Sequence, residues 1–222
     1  MHDRPFAQWL WKIQPEPEII FGPNDIVISF RTPRREGGFD KKYDIYEPTS
    51  AYFEACIDHA VKKMGGRGKI YLMTTCGPSL CNETANLINN FGAIWNPSFP
   101  ADSKYYNAAK IYNQYQGTVI NIATDIWLGM TVPGAFIGSY GTFSWIMAYA
   151  GLASNIYLPF DRKNPSPWMP GCELFIHDDP RVWYGEILNP SNIRNAIDFY
   201  KTPQDKVWQD CFDSRKPIPI EY

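Results

Sequence analysis

The sequence predicts an α/β domain whose parallel sheet is covered by helices on both faces. Three observations predict this fold class. β-Rich runs and helical patterns alternate from about residue 25 to residue 160, and most linkers between them contain only a few residues. Such alternation is typical of right-handed crossovers between parallel strands. The chain of 222 residues is also 45% hydrophobic and 16% aromatic, which suffices for a sizeable core.

The first half of the pattern begins with a strand at Asp25–Arg31, a helix at Thr49–Met64 and a strand at Lys69–Thr75. In the helix, apolar residues recur at intervals of three and four, and Gly65-Gly66 follows as a stop signal. The strands are short β-rich runs bounded by turn residues. The pattern then continues with a helix, a short strand and another helix, predicted at Ser79–Asn90, Ala93–Trp95 and Asp102–Gln116.

The stretch from Thr118 to Phe160 combines strands with a helix that follows a glycine turn. A predicted strand at Thr118–Ala123 leads into it, the strand-like run AFIGS breaks at Tyr140-Gly141, and helical spacing begins at Thr142. The free N–H groups of such a first helical turn favour an anion, commonly phosphate. A buried helix with an ordinary threonine cap explains the same residues, so both interpretations stand at this stage.

The chain divides into three parts by composition. Residues 1–24 form an arm in which Trp9, Leu10 and Trp11 need a surface to cover them. Residues 25–160 form the α/β domain. Residues 161–222 are rich in proline and aromatic residues, contain one predicted helix near Ser191–Tyr200, and are expected to pack back on the domain as an extension.

Charge and hydropathy exclude several classes of partner. The formal charge of −2 gives no general attraction to nucleic acid or to an anionic membrane, so any phosphate-binding group must act locally. No tract approaches the roughly 18 apolar residues of a membrane span, and the N-terminus lacks the order of a signal peptide. We therefore expect a cytoplasmic protein, unless the chain is a fragment of a larger secretory enzyme.

Cysteine and histidine usage predicts neither a cofactor nor a metal site. The five cysteines are odd in number and lack CxxC spacing, which favours free thiols. The run His177-Asp178-Asp179 could bind a divalent cation, but it follows no predicted strand of the sheet, and a plain acidic surface turn is the preferred interpretation. We expect metal-independent chemistry and no cofactor.

Candidate ligand-binding groups converge where the predicted strands end. Arg31 and Thr75 each end a predicted strand. A hydroxyl-rich segment follows the strand-like run AFIGS, and Asp125 lies on the apolar run that precedes AFIGS. Loops at the carboxyl ends of parallel strands meet at one edge of a sheet. A guanidinium and helix-start amides can neutralise a diphosphate, and a carboxylate can accept two hydrogen bonds from guanine. Arg31 as a surface strand cap and Asp125 as a helix N-cap are the alternatives.

A family resemblance rests on TDIWLGM followed by IGSYGTFSWIMAYAGLASNIYLPF. These segments resemble the C-terminal donor-binding signature of the GDP-fucose-dependent fucosyltransferases, which include the α-1,2-, α-1,6- and protein O-fucosyltransferases. DIVISFR lies where that group has its His-x-Arg-Arg motif. The resemblance implies the Rossmann-like donor-binding half of a GT-B glycosyltransferase, which transfers a sugar from a nucleotide-sugar to a hydroxyl of a glycan or protein.

The resemblance also implies roles for individual residues. Arg31 matches the catalytic arginine that binds the β-phosphate and stabilises the departing GDP, and Asp125 matches the acid that reads guanine. The remaining donor-binding positions are Thr75, Ser139, Gly141, Thr142, Phe143 and Ser144.

Several residues depart from the family pattern. Ser29 stands in place of the motif histidine, Thr32 in place of its second arginine, and Thr75-Cys76 where many α-1,2 members have paired aspartates. The group has two facing Rossmann-like halves, whereas one is recognisable in this chain. A partner domain or a homo-oligomer could complete the site. These departures support a second hypothesis, a non-catalytic nucleotide- or glycan-binding module on the same scaffold.

The role of Arg31 can be tested by substitution. We expect Arg31→Ala to reduce sugar transfer by about 100- to 1000-fold, because charge builds on the leaving phosphate in the transition state. The melting temperature should stay close to that of the wild type. Transfer assays with a nucleotide-sugar, run beside thermal denaturation, measure both quantities. Wild-type turnover in the variant would contradict the assignment.

Overall fold

The computed structural model of the chain describes residues 20–30, 48–74, 82–95, 110–113, 118–139, 142–160, 176 and 179–201. Several predicted features lie outside these residues: Arg31, Thr75, Gly141, the pair His177-Asp178 and residues 1–19 of the arm.

Helices and strands alternate through most of the described residues. The strands are β1 (Ile26–Phe30), β2 (Ile70–Thr74), β3 (Ile94–Trp95), β4 (Lys110–Asn113), β5 (Thr118–Asn121), β6 (Ala135–Gly138), β7 (Asn155–Phe160), β8 (Val182–Glu186) and β9 (Ile193–Asn195). The helices are α1 (Ser50–Met64), α2 (Asn82–Phe91), α3 (Ile122–Thr131), α4 (Thr142–Ala150) and α5 (Ala196–Lys201).

Seven of these strands form one sheet in the order β3-β2-β1-β6-β7-β8-β9. All neighbouring pairs are parallel except β8 and β9, which are antiparallel. The predicted α/β class with a mostly parallel sheet is therefore confirmed. The edge strand β9 is antiparallel to β8, because the short connection between them leaves no room for a crossover. Both strands come from the segment predicted to be an extension.

Helices cover both faces of the sheet, as the sequence predicted. Alternate residues of β1 point to opposite faces, so Ile26 and Ile28 pack in one apolar cluster and Val27 packs in another. The cluster around Ile26 includes buried side chains of α1 and α2. The cluster around Val27 includes buried side chains of α3 and α4. Each side of the sheet thus has its own pair of helices.

Two predicted helices are wrong in part. The helix at Asp102–Gln116 is contradicted at Lys110–Asn113, which forms the strand β4 of a separate antiparallel pair with β5. Ile111 and Tyr112 have high β propensity and pair across strands with Ile120 and Val119. The predicted helix near Ser191–Tyr200 likewise begins with β9, and helical structure starts at Ala196.

The direction of strand addition reverses between β1 and β6. The chain moves outward from β1 through β2 to β3, and it then crosses to the other side of β1, where β6, β7 and β8 are added in turn. In open α/β sheets of this doubly wound kind, the loops on the two sides of the reversal separate and leave a crevice at the carboxyl ends of the strands. In this sheet the reversal lies at the carboxyl edge of β1 and β6.

Asp25 joins three strands at the opposite, amino edge. Its carboxylate accepts hydrogen bonds from the N–H groups of Gly22 (2.9 Å) and Lys69 (2.8 Å), and its carbonyl accepts one from Ala135 N–H (3.0 Å). At Gly134 a side chain would collide with the same carbonyl oxygen, so glycine is needed there. These contacts hold β1 in register with β2 and β6.

Loss of the Asp25 carboxylate should destabilise the fold. We expect Asp25→Ala to lower the free energy of unfolding by about 2–5 kcal/mol, because two N–H groups lose a charged acceptor in a largely buried place. Asp58→Ala is the matched control, since Asp58 is exposed on α1, and it should change the free energy by no more than about 0.5 kcal/mol. Urea denaturation of both variants measures the difference. Equal effects would show that Asp25 does not hold the strands together.

Candidate functional site

The carboxyl edge between β1 and β6 contains buried serines. Ser29 lies opposite Gly138 in the register of the two strands, on the side of the sheet covered by α3 and α4. The N–H of Ser139, just past the end of β6, donates to the carbonyl of Ser29 at 2.9 Å. Ser29 is 6% exposed and Ser139 is 2% exposed. The edge thus contains hydroxyl groups where core residues would ordinarily be apolar.

The first turn of α4 lies at this same edge. The helix begins at Thr142, shortly after β6 ends, and its third residue, Ser144, is 2% exposed. The Ser144 hydroxyl donates to the Ser29 hydroxyl at an Oγ–Oγ distance of 3.2 Å. Gly138 allows this approach, because a Cβ there would lie 3.1 Å from Ser144 Cβ. The bond ties the helix start to the strand on which the sheet order reverses.

Asp125 lies in the first turn of α3, near the same edge. Because α3 ends at Thr131 and β6 begins at Ala135, the helix runs from the carboxyl edge towards the amino edge. One turn after Asp125, Gly129 packs so closely on Met147 of α4 that a side chain there would collide with it. Residues four apart share a helix face, so Asp125 lies on the face that meets α4, one turn nearer the carboxyl edge.

Burial raises the pKa of the Asp125 carboxyl to about 7. No hydrogen bond or ion pair joins this carboxyl to another group within the described part of the chain. The carboxyl is neutral in acid and carries a poorly solvated charge above neutral pH. A ligand that offers N–H donors would offset that charge. The carboxylate is therefore suited to accept hydrogen bonds from such a ligand.

The predicted site residues fall into two groups. Ser139 and Ser144 lie at the carboxyl edge with Phe143, which is 37% exposed on α4, and Asp125 lies near that edge in the first turn of α3. Thr142 is the first residue of α4, and its backbone lies at the same edge. Asp125 is the fourth residue of its helix, which excludes the N-cap alternative. Arg31, Thr75 and Gly141 lie outside the described residues, and their roles stay predictions.

Two residues at the edge were not predicted as site residues. In the sequence Ser29 stands out only as a departure from a motif, although a hydroxyl in a short buried strand is itself a signal. Trp145 follows Ser144 on α4 and stacks on Tyr149 with ring centroids 4.8 Å apart. Its Nε1–H is buried without an acceptor. Nothing in the sequence distinguishes this indole from an ordinary core tryptophan.

Other reactive side chains lie away from this edge. His59 Nδ1 and the Tyr157 hydroxyl are 2.8 Å apart and join α1 to β7. Burial, together with the charges of Lys63 and Lys62, lowers the pKa of His59, which suits a neutral imidazole that accepts this bond. Cys56 is buried beside them, and burial raises the pKa of its thiol. These contacts belong to the packing between α1 and the sheet.

Comparisons with family models, curated proteins and solved structures each find no match to this chain. Within the described ranges, no cluster of histidine, cysteine, aspartate and glutamate has the grouping of a metal site. The helices in those ranges are too short or too polar to cross a bilayer. The site is therefore defined by the strand order and by the side chains at its carboxyl edge.

Ionisation of Asp125 should make stability depend on pH. Its pKa is about 7 in the folded chain against an ordinary value of 3.8, so the unfolded chain releases the proton first. Stability should therefore fall as pH rises from about 4 to 7, by up to about 4 kcal/mol.

Asp125→Asn removes this dependence, and the variant should gain stability over the wild type as pH rises. Urea denaturation from pH 4 to pH 8 measures the effect, with Asp58→Asn on the exposed side of α1 as the control. Parallel pH profiles for the wild type and Asp125→Asn would contradict the assigned burial.

Proposed function

We propose that this chain binds a nucleotide-sugar at the carboxyl edge of β1 and β6 and transfers the sugar to a hydroxyl of a glycan or protein. In this proposal the domain corresponds to the donor-binding half of a GT-B glycosyltransferase that resembles the GDP-fucose-dependent enzymes. The donor is a GDP-sugar, with fucose as the first candidate. A partner domain or a second copy of the chain supplies the acceptor side.

The observation that best supports the proposal is the reversal of strand order between β1 and β6, with the first turn of α4 at that edge. Dinucleotides and related ligands bind at such reversals in doubly wound sheets. The N–H groups of a helix start favour the negative charge of a diphosphate. The resemblance to a donor-binding signature falls on α3, β6, α4 and β7, which are the elements around this crevice.

A nucleotide base fits the proposal better than a simple phosphate ester does. The half-buried Asp125 carboxyl has no partner in the described part of the chain, and its ionised form needs N–H donors. The N1–H and amino group of guanine offer two adjacent donors to one carboxylate. The exposed ring of Phe143 provides an apolar surface at the start of α4. An acid, an aromatic ring and helix-start amides together suit a nucleoside diphosphate.

The proposed chemistry is displacement at the anomeric carbon through an oxocarbenium-like transition state. The bond from the sugar to the β-phosphate oxygen breaks, and the acceptor oxygen forms the new bond with inversion. Negative charge builds on the departing diphosphate, where the N–H groups of α4 and the guanidinium of Arg31 would stabilise it. A general base takes the proton of the acceptor hydroxyl, and the described residues do not identify that base.

A non-catalytic module is the second candidate, and Ser29 favours it. Where the resembling motif has histidine, the Ser29 hydroxyl hydrogen-bonds to Ser144, so an imidazole is missing from the strand end. A module of this kind would bind the nucleotide-sugar without breaking it. An enzyme should instead release the sugar slowly to water when no acceptor is present.

Nucleotide binding tests the proposal directly. We expect GDP to raise the melting temperature more than UDP, CDP, dTDP or ADP, with about 2.7 kcal/mol of stabilisation at a concentration 100-fold above Kd. Asp125→Ala should remove the preference for GDP, because the base loses its carboxylate partner. Asp58→Ala, with an exposed side chain on α1, is the control and should bind like the wild type.

The outcomes separate the candidates. GDP binding with slow release of sugar from a GDP-sugar supports the enzyme, and binding without release supports the module. A preference for another nucleotide would keep the transferase but discard GDP. Absence of binding to every nucleotide, in the full chain and at millimolar ligand, would refute both.

A further inference from the structure

In the described part of the chain, the Ser29–Ser144 hydrogen bond leaves one hydroxyl proton without an acceptor. Each serine hydroxyl has one proton to donate, and the pair shares a single hydrogen bond of 3.2 Å. When Ser144 donates to Ser29, the proton of Ser29 remains. No other hydrogen bond of either hydroxyl is formed within the described ranges.

Burial makes this unpaired donor unfavourable in the absence of a ligand. Ser29 is 6% exposed and Ser144 is 2% exposed, so solvent has little access to either hydroxyl. Both hydroxyl oxygens take part in the hydrogen bond between them, but the pair uses only one of its two protons. A ligand oxygen that accepts from Ser29 explains the pair.

We propose that Ser29 donates a hydrogen bond to a phosphate oxygen of the nucleotide-sugar, while Ser144 positions the Ser29 hydroxyl from the first turn of α4. This inference rests on the proposed function for the identity of the ligand. Ser29 is a binding residue in this arrangement, and Ser144 acts through it. The pair provides a neutral donor at the strand end where the resembling motif has histidine.

A phosphate oxygen fits this donor better than a sugar hydroxyl does. Ser144 is the third residue of α4, so the pair lies beside the N–H groups that have no partner within the helix. The partial positive charge there attracts an anion. A hydroxyl that accepts one hydrogen bond also becomes a stronger donor for the next, so the bond from Ser144 strengthens donation by Ser29.

The experiment compares three ligands that each contain part of the proposed nucleotide-sugar: GDP, inorganic pyrophosphate and guanosine. Calorimetric titrations use the full chain as wild type, Ser29→Ala, Ser144→Ala and the double variant. Ser154→Ala is the control, because Ser154 hydrogen-bonds to the Gly134 carbonyl at the opposite edge. Ser29 lies on β1 and Ser144 lies on α4, so the second single variant still tests the pair if the first fails to fold.

We expect Ser29→Ala to weaken GDP and pyrophosphate binding by the same factor, about 10- to 100-fold, because a hydrogen bond to a charged group is lost. Guanosine binding should change by less than about twofold. Ser144→Ala should lower the same two affinities by a smaller factor, and the double variant should match Ser29→Ala because the hydroxyls act as one unit.

Other results overturn the inference, the proposed function or both. Equal loss for all three ligands, or no loss for any, would show that Ser29 does not contact phosphate. Suppose that pyrophosphate binds in a Ser29-dependent way while GDP and guanosine do not bind. This result would support Ser29 as a hydrogen-bond donor to phosphate and refute the nucleotide-sugar proposal. A wild-type chain that binds none of the three refutes both.

Discussion

The position of β1 between β2 and β6 is the constraint on which the rest of the structure depends. This strand is hydrogen-bonded in parallel on both edges and buried on both faces. Its register with both neighbours is set at the amino edge, where the carboxylate and the carbonyl of Asp25 accept N–H groups from the chain segments leading into β2 and β6. A slip by one residue would move every side chain of β1 to the wrong face.

The two ends of β1 differ in how their polar groups are satisfied. At the amino edge, Asp25 is buried and its carboxylate accepts two backbone N–H groups, so the charge is well solvated by the protein. At the carboxyl edge, the half-buried Asp125 carboxyl has no partner in the described part of the chain, and the Ser29–Ser144 pair there has one hydroxyl proton left over. Structural polar networks are completed within the protein, and the incomplete pairing at the carboxyl edge is the contrast on which the proposed binding site rests.

The sequence predicted the elements whose patterns are local. The helix near residues 50–64 has regular apolar spacing and ends at Gly65 with a left-handed backbone, and the buried strands are short β-rich runs between turn residues. The prediction failed at Lys110–Asn113, where cross-strand pairing with β5 outweighs a helical pattern. It also failed to single out Ser29, because only the folded chain shows which hydroxyl faces the start of a helix.

By itself the sequence determined the α/β class, the alternation of strands and helices, and the candidate acid and hydroxyls near the ends of strands. These follow from periodicity and turn chemistry, which act over a few residues. Only the tertiary structure decided the order of the strands, the reversal at β1 and β6, and the meeting of Ser29 with Ser144 across 115 residues of chain. Strand order depends on which apolar faces pack together over long distances, and no local pattern encodes that choice.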